Sequence, residues 1–201
     1  MIDPAIPDTV PRPVTPRRAT ALPYAFIHIN KCAGSSIEIL LGIPKSHETA
    51  AQMCARLGAD DWARRLSFAV VRNPFDRVAS IYFHRRRLGT EGLDDRSIDI
   101  NRWIDLVWRE EDPRFARGGH LLAPATYWLT DQGREIVDTV LRFENLSADW
   151  AGLAPRLGVP DELPIMNANL HPPYREVLNA ISRATIERTF APDLARFGYE
   201  F

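Results

Sequence analysis

The amino-acid sequence predicts an α/β domain with a mainly parallel sheet flanked by helices, and three observations carry that prediction. Short β-branched and aromatic runs occur at Tyr24–Ile29, Ser67–Val71 and Thr139–Phe143. Each leads through a short polar turn into a stretch whose apolar residues recur at helical spacing. No internal repeat and no Gly/Ser linker divides the 201 residues, and 45% hydrophobic with 25% charged content is enough for one ordinary core. Strands alternating with helices imply parallel pairing with both sheet faces covered. Such sheets hold ligands beyond the carboxyl ends of their strands.

Taken in order, residues 1–21 carry five prolines, a basic pair (Arg17, Arg18) and no apolar periodicity, so they are expected to form an arm, with one domain over residues 22–201. YAFIHI (24–29) is the first strand, and Ile37, Leu40 and Leu41 mark the helix after it. SFAVV (67–71) is the second strand. RNPFD turns the chain into a helix through RVASIYFHRRR, with Val78, Ile81 and Tyr82 on one face and Pro74 tolerated in the first turn. IDINRWIDLVWRE and HLLAPATYWLTDQG read as helical wall or lid segments. TVLRF (139–143) is the third strand, and its helix stops at Gly158. The C-terminal part reads as two short helices broken around Ala191 and Pro192, closed by Phe197, Tyr199 and Phe201.

Composition excludes several classes. A net charge of −1 gives the whole molecule no electrostatic reason to seek nucleic acid or anionic lipid, so an anion site must be local. No run approaches the roughly 20 apolar residues of a membrane span, and the first residues lack a secretory signal pattern, so a soluble, cytoplasmic protein is expected. Cys32 and Cys54 have no metal-ligand spacing, and reduced thiols without a metal site are expected.

Two segments carry chemistry. HINKCAGSS (28–36) joins a strand to a helix with a lysine, a glycine and two hydroxyls. A helix N-terminus offers unpaired N–H groups and a positive dipole end, the elements of a phosphate cradle. For Ser35 and Ser36, anion binding and helix capping are both open. A nucleotide triphosphatase P-loop places its lysine directly before the metal-holding hydroxyl. Here Lys31 comes before Gly34 and no glycine stands at the earlier P-loop position, so a metal-free phosphate site fits better. The second segment, RNPFDRVAS (72–80), leaves a strand at the ligand edge with Arg72 and places Ser80 about two turns into the helix, so both reach one phosphate if the helix runs alongside it.

HINKCAGSS resembles the 5′-phosphosulfate loop of 3′-phosphoadenosine 5′-phosphosulfate (PAPS)-dependent sulfotransferases, in particular the carbohydrate-type branch, whose loop reads approximately HIPKTGGTS. Asn30 replaces its proline, and Cys32 and Ala33 replace small polar or glycine positions. RNPFDRVAS resembles the 3′-phosphate segment of the same family. RFENL (142–146), LGVPDELPIMNANLH and FGYEF resemble its tail, so the likeness spans residues 24–201. The resemblance implies a P-loop-like α/β fold and in-line transfer of a sulfuryl group from PAPS to a carbohydrate or other small acceptor, leaving 3′,5′-adenosine bisphosphate. It assigns donor binding to Lys31, Cys32, Ala33, Gly34, Ser35, Ser36, Arg72 and Ser80, with Lys31 also stabilising charge on the leaving phosphate.

A base must take the acceptor proton. His47, in SHETAAQ after the first helix, is the first candidate because relatives carry an active-site histidine there. His120, after the Gly118–Gly119 pair, is the second. Glu48 and His171 stay in the set. His28 is read as packed within its strand, and His84, beside Arg85–Arg87, as lying on a solvated helix face. Arg77 and Asp76 are read as structural. The competing readings are a small-molecule kinase or nucleotide hydrolase, and a sulfotransferase-like domain that binds without catalysis.

Overall fold

The computed structural model describes residues 22–95, 97–164 and 171–201. The expected arm at 1–21 and residues 165–170 of the tail segment lie outside the described residues. The chain forms β1 (Tyr24–Ile27), α1 (Gly34–Leu41), α2 (Ala50–Leu57), α3 (Ala59–Ala63), β2 (Leu66–Val71), α4 (Pro74–Arg87) and α5 (Ile100–Trp108). It continues through α6 (Ala125–Leu129), a hairpin of β3 (Thr130–Asp131) and β4 (Arg134–Glu135), β5 (Thr139–Arg142) and α7 (Leu146–Leu157). The last helices are α8 (Tyr174–Val177), α9 (Ala180–Thr189) and α10 (Ala191–Phe197).

β1, β2 and β5 form a three-stranded parallel sheet in the order β1-β2-β5, flanked by helices. β2 is central, and Ser67–Val71 are buried without alternation, as expected where both faces are covered. Phe26 and Phe68 sit in register across β1 and β2 and stack at 5.0 Å. Asp138 fixes the start of the β2–β5 pair: its Oδ2 accepts from the Ser67 N–H (2.8 Å) and hydroxyl (2.6 Å). One apolar core surrounds the sheet and includes Ile37, Trp128 and Trp150. A second, with Phe75, Tyr82, Trp103, Ile104 and Ile186, lies among α4, α5 and α9.

Several boundaries differ from the sequence reading for local reasons. β1 ends at Ile27 because the Ile29 N–H turns back to the Ile27 carbonyl (3.1 Å), a three-residue turn that takes the chain off the sheet. HLLAPATYWLTDQG is not one helix. It gives a 3₁₀ turn at Gly119–Leu122, then α6, then the β3–β4 hairpin. Gln132 (φ 47°) and Gly133 (φ 79°) both take left-handed backbone at its tip, the signature of the tight turns that match strand twist. The expected third strand stops at Arg142, and Phe143–Asn145 form a 3₁₀ turn.

The C-terminal part holds three helices rather than two: α8 is additional, while α9 and α10 meet at Phe190, next to the expected break. The closing segment ties the carboxyl end of the sheet together. Glu144 accepts from the Asn73 N–H (2.6 Å) and the Tyr199 hydroxyl (2.9 Å), and Asn73 Nδ2 donates to the Glu200 carbonyl (3.0 Å). Among the described residues, no helix is long and apolar enough to cross a membrane.

Candidate functional site

The turn of residues 28–33 sits where β1 meets α1, and its shape follows from two anchors. Lys31 (φ 65°) and Ala33 (φ 61°) both take left-handed backbone, a conformation that costs a non-glycine residue about 1–3 kcal/mol unless its surroundings enforce it. The surroundings do so through α4. Buried Arg77 donates Nε and Nη2 to the Asn30 carbonyl (3.2 Å) and Oδ1 (2.7 Å). It also donates Nη1 to the Ala123 carbonyl (2.8 Å) and Nη2 to the Leu121 carbonyl (3.1 Å). Arg72 Nη1 holds the Lys31 carbonyl at 3.0 Å. Asn30 therefore supplies an acceptor that a proline could not, and the turn is clamped by the following helix. Left-handed residues of this kind recur in the anion-binding concavities that backbone N–H groups form.

Ala33 is the N-cap of α1, so no side chain caps this helix, and Ser35 and Ser36 both lie inside its first turn. The capping alternative for the serines is thereby removed. Gly34 is fixed by a close approach: a Cβ there would stand 2.0 Å from His28 Cδ2 and 2.1 Å from its Nε2. His28 occupies that space because buried Glu38, one turn further along α1, accepts from its Nδ1 at 2.6 Å. Burial lowers the His28 pKa, partly offset by Glu38, so its role is the packed one expected.

The two histidines chosen as candidate bases are brought together here from positions 73 residues apart in the chain. The Ser46 N–H donates to Glu38 Oε1 (3.2 Å), which delivers His47 to the end of β1, where its ring lies 4.4 Å from that of His28. His47 Nδ1 is 3.1 Å from the His28 carbonyl, and His120 Nε2 is 2.8 Å from the His47 carbonyl. A carbonyl only accepts, so these bonds place a hydrogen on His47 Nδ1 and on His120 Nε2, and the neutral His47 tautomer they select has its lone pair on Nε2. Buried Trp128 stands edge-on to both rings, 6.3 Å from His47 and 4.9 Å from His120. Glu48 is engaged elsewhere, bound by Arg56 Nε and Nη2 at 2.8 Å each.

Lys31 is half-buried, and burial together with Arg72, Arg87 and Lys45 lowers its pKa to about 8. Arg72 itself is tied to Asp76 through Nε and Nη2 (2.7 Å each) and lies over the Phe143 ring at 4.0 Å. His171 closes this corner, with Nε2 3.5 Å from Arg72 Nη2 and its ring stacked on Phe83 at 5.6 Å. Ser80 is buried on α4. Cys32 is also buried, donates to the Asn30 carbonyl (3.6 Å), and has a thiol pKa pushed up to about 11 by burial, so it shapes the turn as a neutral side chain.

His84 is not on a freely solvated face: it is half-buried, and burial, Lys31, Arg87 and Lys45 all lower its pKa. The arginine run also divides. Arg85 binds Glu91 (2.9 Å) and the Phe115 (3.0 Å) and Arg117 (2.7 Å) carbonyls, fastening the segment after α4.

Glu38 and the Asn30–Arg77 clasp were missed by the sequence reading. A signal for Glu38 was present: a carboxylate in an apolar helix, four residues after a glycine. A cavity of about 560 Å³ lies apart from this site, lined by Asp131, Arg134, Glu135 and Asp138 of the hairpin and its neighbours, and holds none of these groups. No family model, curated protein or solved structure matches the chain.

Proposed function

We propose that this chain is a sulfotransferase on a P-loop-like fold, moving the sulfuryl group of PAPS to a hydroxyl or amine. The observation that carries the reading is Lys31: a half-buried ammonium beside Arg72, in a backbone turn at the N-terminus of α1, which no side chain caps. Like charges gathered in a partly desolvated site repel one another, and a polyanion bound among them relieves that cost.

In this scheme the N–H groups of residues 32–35 with the Ser35 and Ser36 hydroxyls cradle the 5′-phosphosulfate, while Arg72 and Ser80 take the 3′-phosphate. The acceptor oxygen attacks sulfur as the bond from sulfur to the 5′-phosphate oxygen breaks. The electron pair stays on the departing bisphosphate, where Lys31 stabilises it. The acceptor proton passes to the Nε2 lone pair of His47, whose tautomer the His28 carbonyl sets. His120 acts as a positioning residue through the His47 carbonyl.

The test is a thermal-shift comparison of 3′,5′-adenosine bisphosphate, ADP, and ATP with magnesium. At about 100 times its Kd a ligand adds about 2.7 kcal/mol, a rise of roughly 5–10 °C for a chain of this size. Stabilisation by the bisphosphate without metal is expected. Stabilisation by ATP with magnesium alone moves the assignment to a kinase or nucleotide hydrolase.

A further inference from the structure

α4 presents a stripe that the donor scheme does not use up. Arg77, Ser80, His84 and Arg87 follow one another at helical spacings of three and four, so they lie along one face of α4 (Pro74–Arg87). The clasp between Arg77 and Asn30 turns the start of that face to the phosphate turn. His84 and Arg87 continue it one and two turns past Ser80, which puts Arg87 about 10 Å along the helix from the proposed 3′-phosphate serine. Arg87 Nη2 donates to His84 Nδ1 at 3.2 Å, which keeps that imidazole neutral and leaves its other nitrogen as a donor. From the opposite side, Lys45 is exposed and immediately precedes the Ser46–His47 segment, which Glu38 and the His28 carbonyl pin beside the turn.

We infer that the acceptor is an anion, its carboxylate, sulfate or phosphate group held by Arg87 with Lys45 and His84 while its hydroxyl or amine faces His47. This rests on the sulfotransferase reading and names the substrate class of the same site. The electrostatics agree, since the charges acting on His84 are Lys31, Arg87 and Lys45, all positive. Arg87 is exposed, and its fork offers paired donors suited to a planar carboxylate or a tetrahedral anion.

The experiment loads the protein with 3′,5′-adenosine bisphosphate and titrates it with p-nitrophenyl β-glucuronide, p-nitrophenyl phosphate and the neutral p-nitrophenyl β-glucoside at low ionic strength. At least one anionic probe should bind about tenfold or more tightly than the neutral one. Arg87→Ala should reduce that preference to within about threefold, with bisphosphate affinity changed by less than about threefold. Arg86→Ala removes the same charge from a neighbouring position whose side chain acts on Tyr82, and should keep the preference.

Equal binding of neutral and anionic probes, no binding of any probe, or equal effects of the two variants overturns the inference. A tenfold loss of bisphosphate affinity in Arg87→Ala overturns it too, by assigning Arg87 to the donor. If the wild type fails to bind the bisphosphate at all, the donor reading itself has failed, and this inference falls with it.

Discussion

Replacing Lys31 by methionine should stabilise the unliganded protein while removing its affinity for 3′,5′-adenosine bisphosphate. Burial and the surrounding cations bring the Lys31 pKa from 10.5 to about 8. At about 1.36 kcal/mol per pKa unit this corresponds to about 3.4 kcal/mol against the ammonium. The side chain is only half-buried, and solvent screening reduces the figure to about 1–2 kcal/mol. Below pH 8 the lysine is charged in both folded and unfolded chains, so the folded state carries the whole penalty. Between about pH 8 and 10.5 the folded chain releases the proton first and the penalty fades.

Lys31→Met should therefore raise the melting temperature by about 2–8 °C at pH 7 in buffer free of phosphate and sulfate, with the gain gone near pH 10.5. In the wild type, bisphosphate affinity should fall as pH rises through about 8. Near that pH, binding should take up about half a proton, measurable by calorimetry in buffers of different ionisation enthalpy. A Lys31→Met protein that is less stable than the wild type, or equally stable at pH 7, would refute the idea that this ammonium is held against its own electrostatic interest for a ligand.

The other predictions follow from single contacts. His47→Ala should leave bisphosphate affinity intact and lower turnover of any acceptor by on the order of 100-fold, whereas unchanged turnover would move the base to His120. Gly34→Ala places a methyl group 2.0 Å from His28 Cδ2, so it should cost about 1–3 kcal/mol in urea unfolding and weaken bisphosphate binding; a neutral outcome would mean that His28 is free to move. Arg77→Lys should cost at least about 3 kcal/mol, because one ammonium cannot serve Asn30, Leu121 and Ala123 at once. A loss under about 1 kcal/mol would show that the clasp does not hold the turn.

Local chemistry made much of this protein legible in its sequence. Parallel strands buried on both faces need unbroken apolar runs, so SFAVV could be read without a structure, and α7 ends at Gly158 (φ 67°) because glycine tolerates the left-handed C-cap. The same holds for α4, where Asn73 accepts from the Phe75 N–H (3.0 Å) and Pro74 needs no donor. The β3–β4 hairpin was misread because a helical apolar spacing in HLLAPATYWL masked the turn residues Gln132 and Gly133 that decided it.

The lysine, glycine and serines of the turn between β1 and α1 were visible as residue types at a spacing. What holds that turn was not, because its partners lie far along the chain: Arg77 reaches back to Asn30, and His120 meets the carbonyl of His47. Hydrogen bonds across such separations leave no periodic trace in a sequence. The sequence by itself therefore determined the elements and the chemistry available to them. The tertiary structure alone decided which histidine nitrogen is left with its lone pair, which arginines are spent on backbone carbonyls, and which cations are left facing one another around Lys31.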